Sequence, residues 1–243
     1  MKAVVMAGGL GMRLRPLTSV IPKPMLPVGD RSILEIILLN LKSAGVDTVY
    51  IAVNYMSEYF KAHFEKHPID GLDIIFSNEL EPLGTAGPLG LLRDNFEEPF
   101  LVVNGDILTN LDFSKFYQFF LDEKADILVG TKKLFLPTNY GVISSMGTDI
   151  LSIEEKPQIE TEIVAGIYCL SPNVLNYIPR VGFYQMNELL QKVLEIGKLK
   201  KYLISDYWLD IGHMENYEQA QKDINEYLPI SINTAQYKSK LVS

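Results

Sequence analysis

The sequence has few of the residues that redox, metal-cluster and disulfide-rich proteins depend on. Its 243 residues include one cysteine, one tryptophan and three histidines. A single cysteine cannot form an intrachain disulfide, and Cys169 has no Cys or His neighbours at the spacing of a zinc site. We therefore expect Cys169, which lies in an apolar run, to be a small buried side chain.

Positive charge is also scarce. The chain has 22 Lys and Arg residues against 30 Asp and Glu residues, a formal net charge of -8. A domain that binds nucleic acid through its phosphates usually carries a basic stripe, and none is visible, so we expect no nucleic-acid partner. A small anionic ligand is compatible with an acidic chain, because local cations and backbone N–H groups can bind it.

No apolar run is long enough to span a bilayer, and the run at the N-terminus lacks the pattern of a signal peptide. We therefore expect a cytoplasmic protein that does not engage a membrane. Low-complexity linkers and internal repeats are absent too, which favours one domain over residues 1–228. Residues 229–243 are polar and without periodicity, and we treat them as a C-terminal tail.

Strand-length apolar runs alternate with helical patterns in the first half of the chain. The patterns predict strands at 2–6, 48–53, 73–77, 100–103 and 125–131. They predict helices at 32–43, 57–67, 85–94 and 113–124, with Ser57 as the N-cap of the second helix. This alternation indicates an α/β fold with a Rossmann-like, open, mostly parallel mixed sheet and helices on both faces.

After about residue 135 the rhythm becomes irregular. The expected strands are short, at 141–144, 150–154, 163–170, 201–204 and 207–209. The expected helices lie at 173–177, 185–196 and 215–226. We divide the domain into a part covering about 1–134 and a part covering about 135–228 that builds a pocket.

A glycine-rich loop follows the first strand and contains Gly8, Gly9 and Gly11. Glycines let the backbone approach phosphates and present N–H groups to them. Leu14 stands where a dinucleotide fingerprint requires its third glycine, which disfavours a nicotinamide-dependent dehydrogenase, and no P-loop sequence follows. Arg13 can bind two phosphate oxygens, and Lys23 between two prolines supplies a second positive charge.

Two aspartates follow strand-like runs. Asp106 comes after the strand at 100–103, and Asp210 comes after the run at 207–209. Ligands of open α/β sheets bind beyond the carboxyl ends of the strands, and two carboxylates can hold Mg²⁺ against substrate phosphates. Each aspartate also fits an ordinary turn beside a glycine.

The loop sequence at 8–18 and the Pro-Lys-Pro-Met-Leu-Pro segment at 22–27 resemble the signature of the sugar-1-phosphate nucleotidylyltransferases. The Gly-Asp at 105–106 and the Trp-Leu-Asp-Ile-Gly at 208–212 extend the resemblance, which covers residues 2 to about 226. It implies nucleotide binding by Ala7, Gly8, Gly9, Gly11 and Arg13. It also implies catalytic roles for Arg13, Lys23 and Asp106, with Asp106 and Asp210 as Mg²⁺ ligands.

The same resemblance implies the reaction and its setting. Such an enzyme joins a sugar 1-phosphate to a nucleoside triphosphate, releases pyrophosphate and supplies nucleotide sugars for cell-surface polysaccharides. Further segments at 139–142, 153–157 and 165–168 imply sugar-phosphate binding by Gly141, Glu155, Lys156 and Gly166, so residues 135–228 would be the sugar-binding part and residues 1–134 the nucleotide-binding part. A surface ion pair before a proline is the ordinary alternative for Glu155 and Lys156.

The segment at 79–89 resembles that of the mannose-1-phosphate and heptose-1-phosphate guanylyltransferases. It implies nucleotide binding by Glu79, Glu81, Gly84 and Thr85. A carboxylate suits guanine, whose N1–H and N2–H₂ edge offers two donors, so either glutamate could read the base and GTP is the favoured substrate.

The sequence also leaves alternatives open. Thymidylyl-, uridylyl- or cytidylyl transfer on the same fold is one of them, and a non-catalytic sugar-nucleotide sensor is another. The sugar, the oligomeric state and the role of His213 stay open, although members of the resembled family commonly form homo-oligomers, as dimers or tetramers.

Overall fold

The structure is a computed structural model that describes residues 1–54 and 56–228. It contains thirteen strands in the described residues: β1 Lys2–Met6, β2 Pro27–Val28, β3 Arg31–Ser32, β4 Thr48–Val53, β5 Asp73–Asn78, β6 Phe100–Asn104, β7 Ile107–Thr109, β8 Ile127–Pro137, β9 Gly141–Met146, β10 Asp149–Glu155, β11 Gln158–Leu170, β12 Leu199–Leu203 and β13 Trp208–Asp210. The α-helices of the same residues are α1 Ile33–Ser43, α2 Ser57–Lys66, α3 Gly87–Leu91, α4 Phe113–Glu123, α5 Met186–Ile196 and α6 Met214–Tyr227.

Seven of these strands form the central sheet, in the order β12-β8-β11-β6-β1-β4-β5. β1 lies parallel to β4 and β6, β4 lies parallel to β5, and β12 lies parallel to β8. Only β11 runs against its two neighbours, β6 and β8. The expected α/β class, with a mostly parallel mixed sheet, is confirmed.

Alternating side chains of the buried strands supply a core on each face of the sheet, because successive residues of a strand point to opposite sides. Ala3 and Val5 of β1 pack in the cluster that contains residues of α1, α2 and α4. Val4 packs in the second cluster, with residues of α3 and α5. Cys169 of β11 is fully buried, as expected.

Two helix predictions were wrong in detail. Ser57 is not the N-cap of α2, because the helix already begins at Ser57 and the cap is Met56, in the left-handed conformation at φ 58°. The helix expected at 85–94 shrinks to the five residues of α3. A Cβ at Gly90, inside α3, would collide with the Pro179 carbonyl oxygen, so this glycine lets the segment at Pro179 pass close to the helix.

β8 and β11 are longer than expected. They pair from Ile127 to Pro137 and from Gln158 to Leu170, well past the buried part of the sheet. Their outer halves, together with the antiparallel pair β9–β10, form an exposed arm over residues 132–164. The exposed outer halves of β8 and β11 lack a buried face and hence a clear apolar alternation, which is why the pattern missed them.

No described helix combines the length and the apolar character needed to cross a bilayer. The predicted C-terminal tail, 229–243, lies outside the described residues.

Candidate active site

Two strand pairings bring Asp106 and Asp210 to one place although they are far apart in sequence. Asp106 follows β6 and precedes β7, and Asp210 is the last residue of β13. β7 and β13 pair antiparallel with Asp210 opposite Ile107. The amide of Ile211 also donates to the Asp106 carbonyl oxygen at 3.0 Å. The sheet edge where β6 ends therefore carries both carboxylates, as expected for an open α/β sheet.

Lys23 lies at the same edge. It begins a short 3₁₀ turn between two prolines and is 8% exposed. Its ammonium donates to Oδ2 of Asp106 at 2.5 Å. A buried ammonium needs such a partner, and the proline-stiffened turn holds it against the carboxylate.

Asp210 is the least satisfied polar group of the site. Its Oδ1 is buried and has no hydrogen-bond partner among the described residues. Burial raises the pKa of Asp210, and the negative charge of Asp106 raises it further, while Lys23 and Arg13 act in the opposite direction. A buried acceptor without a donor fits the ligand of a cation.

A pair of carboxylates is compatible with a Mg²⁺ site. The described residues contain no cluster of three or more His, Cys, Asp or Glu side chains that could hold a metal ion by itself. Mg²⁺ is commonly bound by one or two carboxylates together with water and substrate phosphates, so it does not need a third protein ligand.

The glycine loop passes directly beside Lys23. Gly11 has φ 59°, and a Cβ there would lie 2.9 Å from Cγ2 of Thr18 and 3.1 Å from Cβ of Lys23. Only glycine fits this close approach at this backbone angle. Ala7, which precedes the loop, is buried and donates its N–H to Ala52 of β4 at 2.8 Å.

Arg13 follows the loop and is exposed. Its Nη1 lies 2.9 Å from Nε2 of His213, and its Nη2 lies 3.4 Å from the position of a Cβ on Gly212. Sequence analysis left the role of His213 open. Its position directly after the Asp-Ile-Gly motif that begins at Asp210 was the only signal available.

Glu79 directly follows β5 and faces the glycine loop. It is 8% exposed, and its Oε1 would lie 2.8 Å from a Cβ on Gly8. Its Oε2 accepts a hydrogen bond from the amide of Leu83 at 3.1 Å. Burial nevertheless raises the pKa of Glu79. Glu81, two residues later, is exposed.

The rest of this segment packs against the chain before α5. Gly84 has φ 80°, and a Cβ there would lie 2.7 Å from the carbonyl oxygen of Tyr184. The hydroxyl of Thr85 donates to Gln185 Oε1 at 2.9 Å and accepts from the Met186 amide at 2.8 Å. Thr85 is therefore engaged at the start of α5.

Gly166 lies beside the end of β6. It has φ 72°, and a Cβ there would lie 2.6 Å from Nδ2 of Asn104, two residues before Asp106. The pairing of β11 with β8 shifts register around it, between Val164 and Tyr168. Nε1 of Trp208 donates to the neighbouring Ala165 carbonyl at 2.8 Å, which ties β13 to β11 at this point.

The other predicted sugar-phosphate residues lie together on the arm. Gly141 pairs with Glu155 across β9 and β10, and Oε2 of Glu155 lies 3.2 Å from the position of a Cβ on Gly141. Lys156 has φ 48°, and its amide donates to Tyr140 at 3.2 Å. All three are exposed.

Comparison with known proteins identifies a family and relatives of this chain. The family model described as nucleotidyl transferase matches residues 2–227. A rice protein, named probable mannose-1-phosphate guanylyltransferase 1, is 34% identical over 229 residues. The match covers 89% of this chain and 63% of the rice protein, so the chain spans less than two thirds of that relative.

Two solved structures with the same fold align with this chain over almost the full length of both proteins. HddC from Yersinia pseudotuberculosis has a TM-score of 0.72 and 28% identity, over 92% of this chain and 99% of that chain. It is also known in complex with GMP-PN. A putative glucose-1-phosphate thymidylyltransferase from Bacillus anthracis, in complex with a sucrose, has a TM-score of 0.77 and 26% identity, over 96% of each chain.

Proposed function

Because the chain belongs to the nucleotidyl transferase family, we propose that it transfers GMP from GTP to a sugar 1-phosphate and releases pyrophosphate. The observation that carries the proposal is the group of charges at the end of β6. Two carboxylates, Asp106 and Asp210, lie with the ammonium of Lys23 beside a glycine loop, and Oδ1 of Asp210 has no partner among the described residues.

The proposed reaction is an in-line displacement at the α-phosphorus of the nucleotide. A phosphate oxygen of the sugar 1-phosphate forms the new bond, and the bond from the α-phosphorus to the bridging oxygen of pyrophosphate breaks. The attacking group needs no general base, because a phosphate monoester with a second pKa of about 6 is largely deprotonated at neutral pH. Positioning and charge neutralisation then account for catalysis.

The charged residues divide this work. The exposed guanidinium of Arg13 binds phosphate oxygens in a forked geometry, and Lys23 supplies a point charge near Asp106. Asp106 and Asp210 would hold a Mg²⁺ ion, which neutralises phosphate charge. Gly8, Gly9 and Gly11 allow the backbone to approach the phosphates.

Glu79 is the proposed reader of guanine. It faces the loop, whereas Glu81 is exposed and Thr85 is engaged at the start of α5. The N1–H and N2–H₂ donors of guanine would bind the ionised carboxylate and offset the burial that raises the pKa of Glu79. Glu81, Gly84 and Thr85 then shape the segment that holds Glu79.

The sugar phosphate is proposed to bind between β6 and the arm. Gly166 leaves room beside Asn104, Glu155 accepts sugar hydroxyls, Lys156 binds the phosphate, and Gly141 lets Glu155 approach its strand. Residues of about 1–134 would bind the nucleotide, and residues of about 135–228 would bind the sugar phosphate.

Mannose 1-phosphate is the first sugar to test, since the rice relative is named for it. We further propose that the protein acts in the cytoplasm as a homo-oligomer without a membrane or nucleic-acid partner, and that its product serves the synthesis of cell-surface polysaccharides. Thymidylyl transfer is the second candidate, because a putative thymidylyltransferase shares the fold over 96% of each chain.

The test is product formation across a panel. GTP, UTP, CTP and dTTP are each incubated with Mg²⁺ and with mannose, heptose, glucose or glucosamine 1-phosphate, and nucleotide sugars are identified by mass. A GDP-sugar is the expected product. Formation of a dTDP-, UDP- or CDP-sugar would support nucleotidyl transfer but refute the role of Glu79. A folded protein that binds a nucleotide sugar but forms no nucleotide sugar from any pair of substrates would be a sensor.

A further inference from the structure

We propose that His213 is a positioning residue that holds Arg13 in the orientation in which it binds the triphosphate. The proposal rests on the proposed function, because it concerns the same nucleotide site. It starts from one contact that joins distant parts of the chain, the 2.9 Å hydrogen bond between Arg13 Nη1 and His213 Nε2.

The chemistry of the two groups fixes the direction of this bond. A guanidinium has donors and no acceptor, so Nε2 of His213 must accept. The ring is then neutral and carries its proton on Nδ1. A neutral acceptor can orient Arg13 without neutralising its charge, whereas a carboxylate in the same place would compete with phosphate for it.

The surrounding backbone is shaped for this contact. Because Gly212 has no Cβ, the guanidinium of Arg13 can lie close to its backbone. A Cβ there would lie 3.4 Å from Arg13 Nη2 and 3.3 Å from Asp210 Oδ2. β13 ends at Asp210, and α6 begins at Met214. The short link between them therefore places a metal-ligand candidate and the partner of Arg13 side by side.

A purely structural role for His213 is not supported by its position. It occupies the N-cap of α6, but its side chain makes no capping hydrogen bond, and it is exposed. Arg13 is exposed as well and lies in a short turn after the glycine loop. A long exposed side chain loses rotamer freedom when it binds a ligand, and a neighbour that holds it in advance removes part of that entropic cost.

The test first finds which of GTP, UTP, CTP and dTTP the wild-type protein binds most tightly in the presence of Mg²⁺. The affinity for that Mg²⁺–nucleotide complex is then measured for each variant. Calorimetry gives the Kd without turnover. We expect His213→Ala to raise the Kd roughly three- to tenfold, because Arg13 would then lose its rotamer freedom only when the nucleotide binds. His213→Gln, whose carbonyl can accept in the same place, should restore most of the affinity, and Glu215→Gln, in the exposed first turn of α6, should leave it unchanged.

A double-mutant cycle separates positioning from an independent contact. In an Arg13→Ala background, His213→Ala should cause no further loss of nucleotide affinity. Thermal unfolding of each variant verifies that it is folded. The proposal would be overturned if His213→Ala left the Kd unchanged, or if His213→Gln lowered the nucleotide affinity as much as His213→Ala does. Fully additive losses of affinity in the cycle would overturn it as well.

Failure of the proposed function gives a different result. Wild-type protein that binds a triphosphate but forms no product contradicts the transfer reaction alone, and the cycle still decides the role of His213. Wild-type protein that binds none of the four triphosphates contradicts both.

Discussion

At the scale of a single residue, the environment of Asp210 favours ligand binding at the expense of the stability of the free protein. Its Oδ1 is buried and lacks a partner among the described residues, and its carboxylate lies near the charge of Asp106. These are the conditions that penalise an ionised group in a folded protein. A cation bound with substrate would remove the penalty.

We therefore predict that Asp210→Asn stabilises the metal-free protein while abolishing most of its activity. The folded-state pKa of Asp210 is raised, so the penalty for ionisation is fully present above that pKa. It falls as the pH drops through the raised pKa and is gone below the ordinary value of 3.8. Thermal unfolding with a chelator should show a gain at pH 7 that is absent at about pH 3.

The control for this prediction is Asp149→Asn, at an exposed carboxylate at the start of β10. It should leave the unfolding temperature unchanged at both pH values. A loss of stability in Asp210→Asn at pH 7 would show that the carboxylate is well satisfied in the free protein.

Glu79 and Glu81 form a matched pair for testing base recognition. Glu79→Gln removes one charged acceptor while an amide oxygen can still accept from Leu83, so the fold should persist. We expect the preference for GTP over the other triphosphates, measured as kcat/KM, to fall about ten- to a hundredfold, the value of hydrogen bonds to a charged group. Glu81→Gln should change it by less than about twofold, as exposed sites usually do. Equal effects of the two substitutions would refute the assignment.

The sequence could narrow these residues to a short list but could not choose among them. Glu79 and Glu81 have the same chemistry, and what separates them is burial against the glycine loop, which depends on how β5 lies beside β4. The bond between Arg13 and His213 was invisible for the same reason, because it joins residues that are 200 positions apart in the sequence.

At the scale of elements, β11 connects the arm to the end of β6. Its register with β8 shifts around Gly166, and this glycine lies against Asn104 at φ 72°. A bulge of this kind redirects a strand next to a site. β11 can therefore pass close to Asn104 without displacing the Gly-Asp segment that follows Asn104 in the sequence.

Substitution of Gly166 tests this element. Gly166→Ala and Gly147→Ala both place a Cβ at positive φ, but only Gly166 has a neighbour, Asn104, within 3 Å of the added atom. We expect Gly147→Ala to lower the free energy of unfolding by about 1–2 kcal/mol, the cost of the left-handed conformation. Gly166→Ala should cost at least about 1 kcal/mol more, because Asn104 must move. It should also raise KM for the sugar phosphate, and equal effects of the two variants would contradict the packing argument.

The elements with a buried face were predictable, whereas the outer halves of β8 and β11 were not. β1, β4 and α1 follow from apolar periodicity because they are packed against a core. The outer halves of β8 and β11 carry charged pairs such as Lys133–Glu160 instead of a hydrophobic stripe. Their strand form is set by pairing with each other, which no local pattern reveals.

At the scale of the whole molecule, ligand binding and global stability should be coupled through the shared metal. Two carboxylates without a third protein ligand are a weak Mg²⁺ site until phosphates complete it. At a hundred times Kd, the complex should stabilise the fold by about 2.7 kcal/mol, or roughly 5–10 °C in Tm for a chain of this size. Mg²⁺ alone, or GTP with a chelator, should give much smaller shifts.

Asp210→Asn is the control for this coupling. It should lose the joint shift in Tm while keeping whatever small shift GTP produces in the presence of a chelator. An equal stabilisation by GTP with and without Mg²⁺ would contradict a metal site shared between the protein and the nucleotide.

The most direct measurement is the initial rate of pyrophosphate release from GTP with Mg²⁺ and mannose 1-phosphate or another accepted sugar 1-phosphate. Wild-type protein should release pyrophosphate only when both the sugar phosphate and Mg²⁺ are present. Arg13→Ala and Asp106→Asn should be slower by at least about a hundredfold, the usual loss for one preorganised electrostatic contact. Arg15→Ala, at an exposed arginine two residues from Arg13, should retain the wild-type rate. Near-normal release in either of the first two variants, or no release from folded wild-type protein with any nucleotide and sugar, would contradict the proposed nucleotidyl transfer at this site.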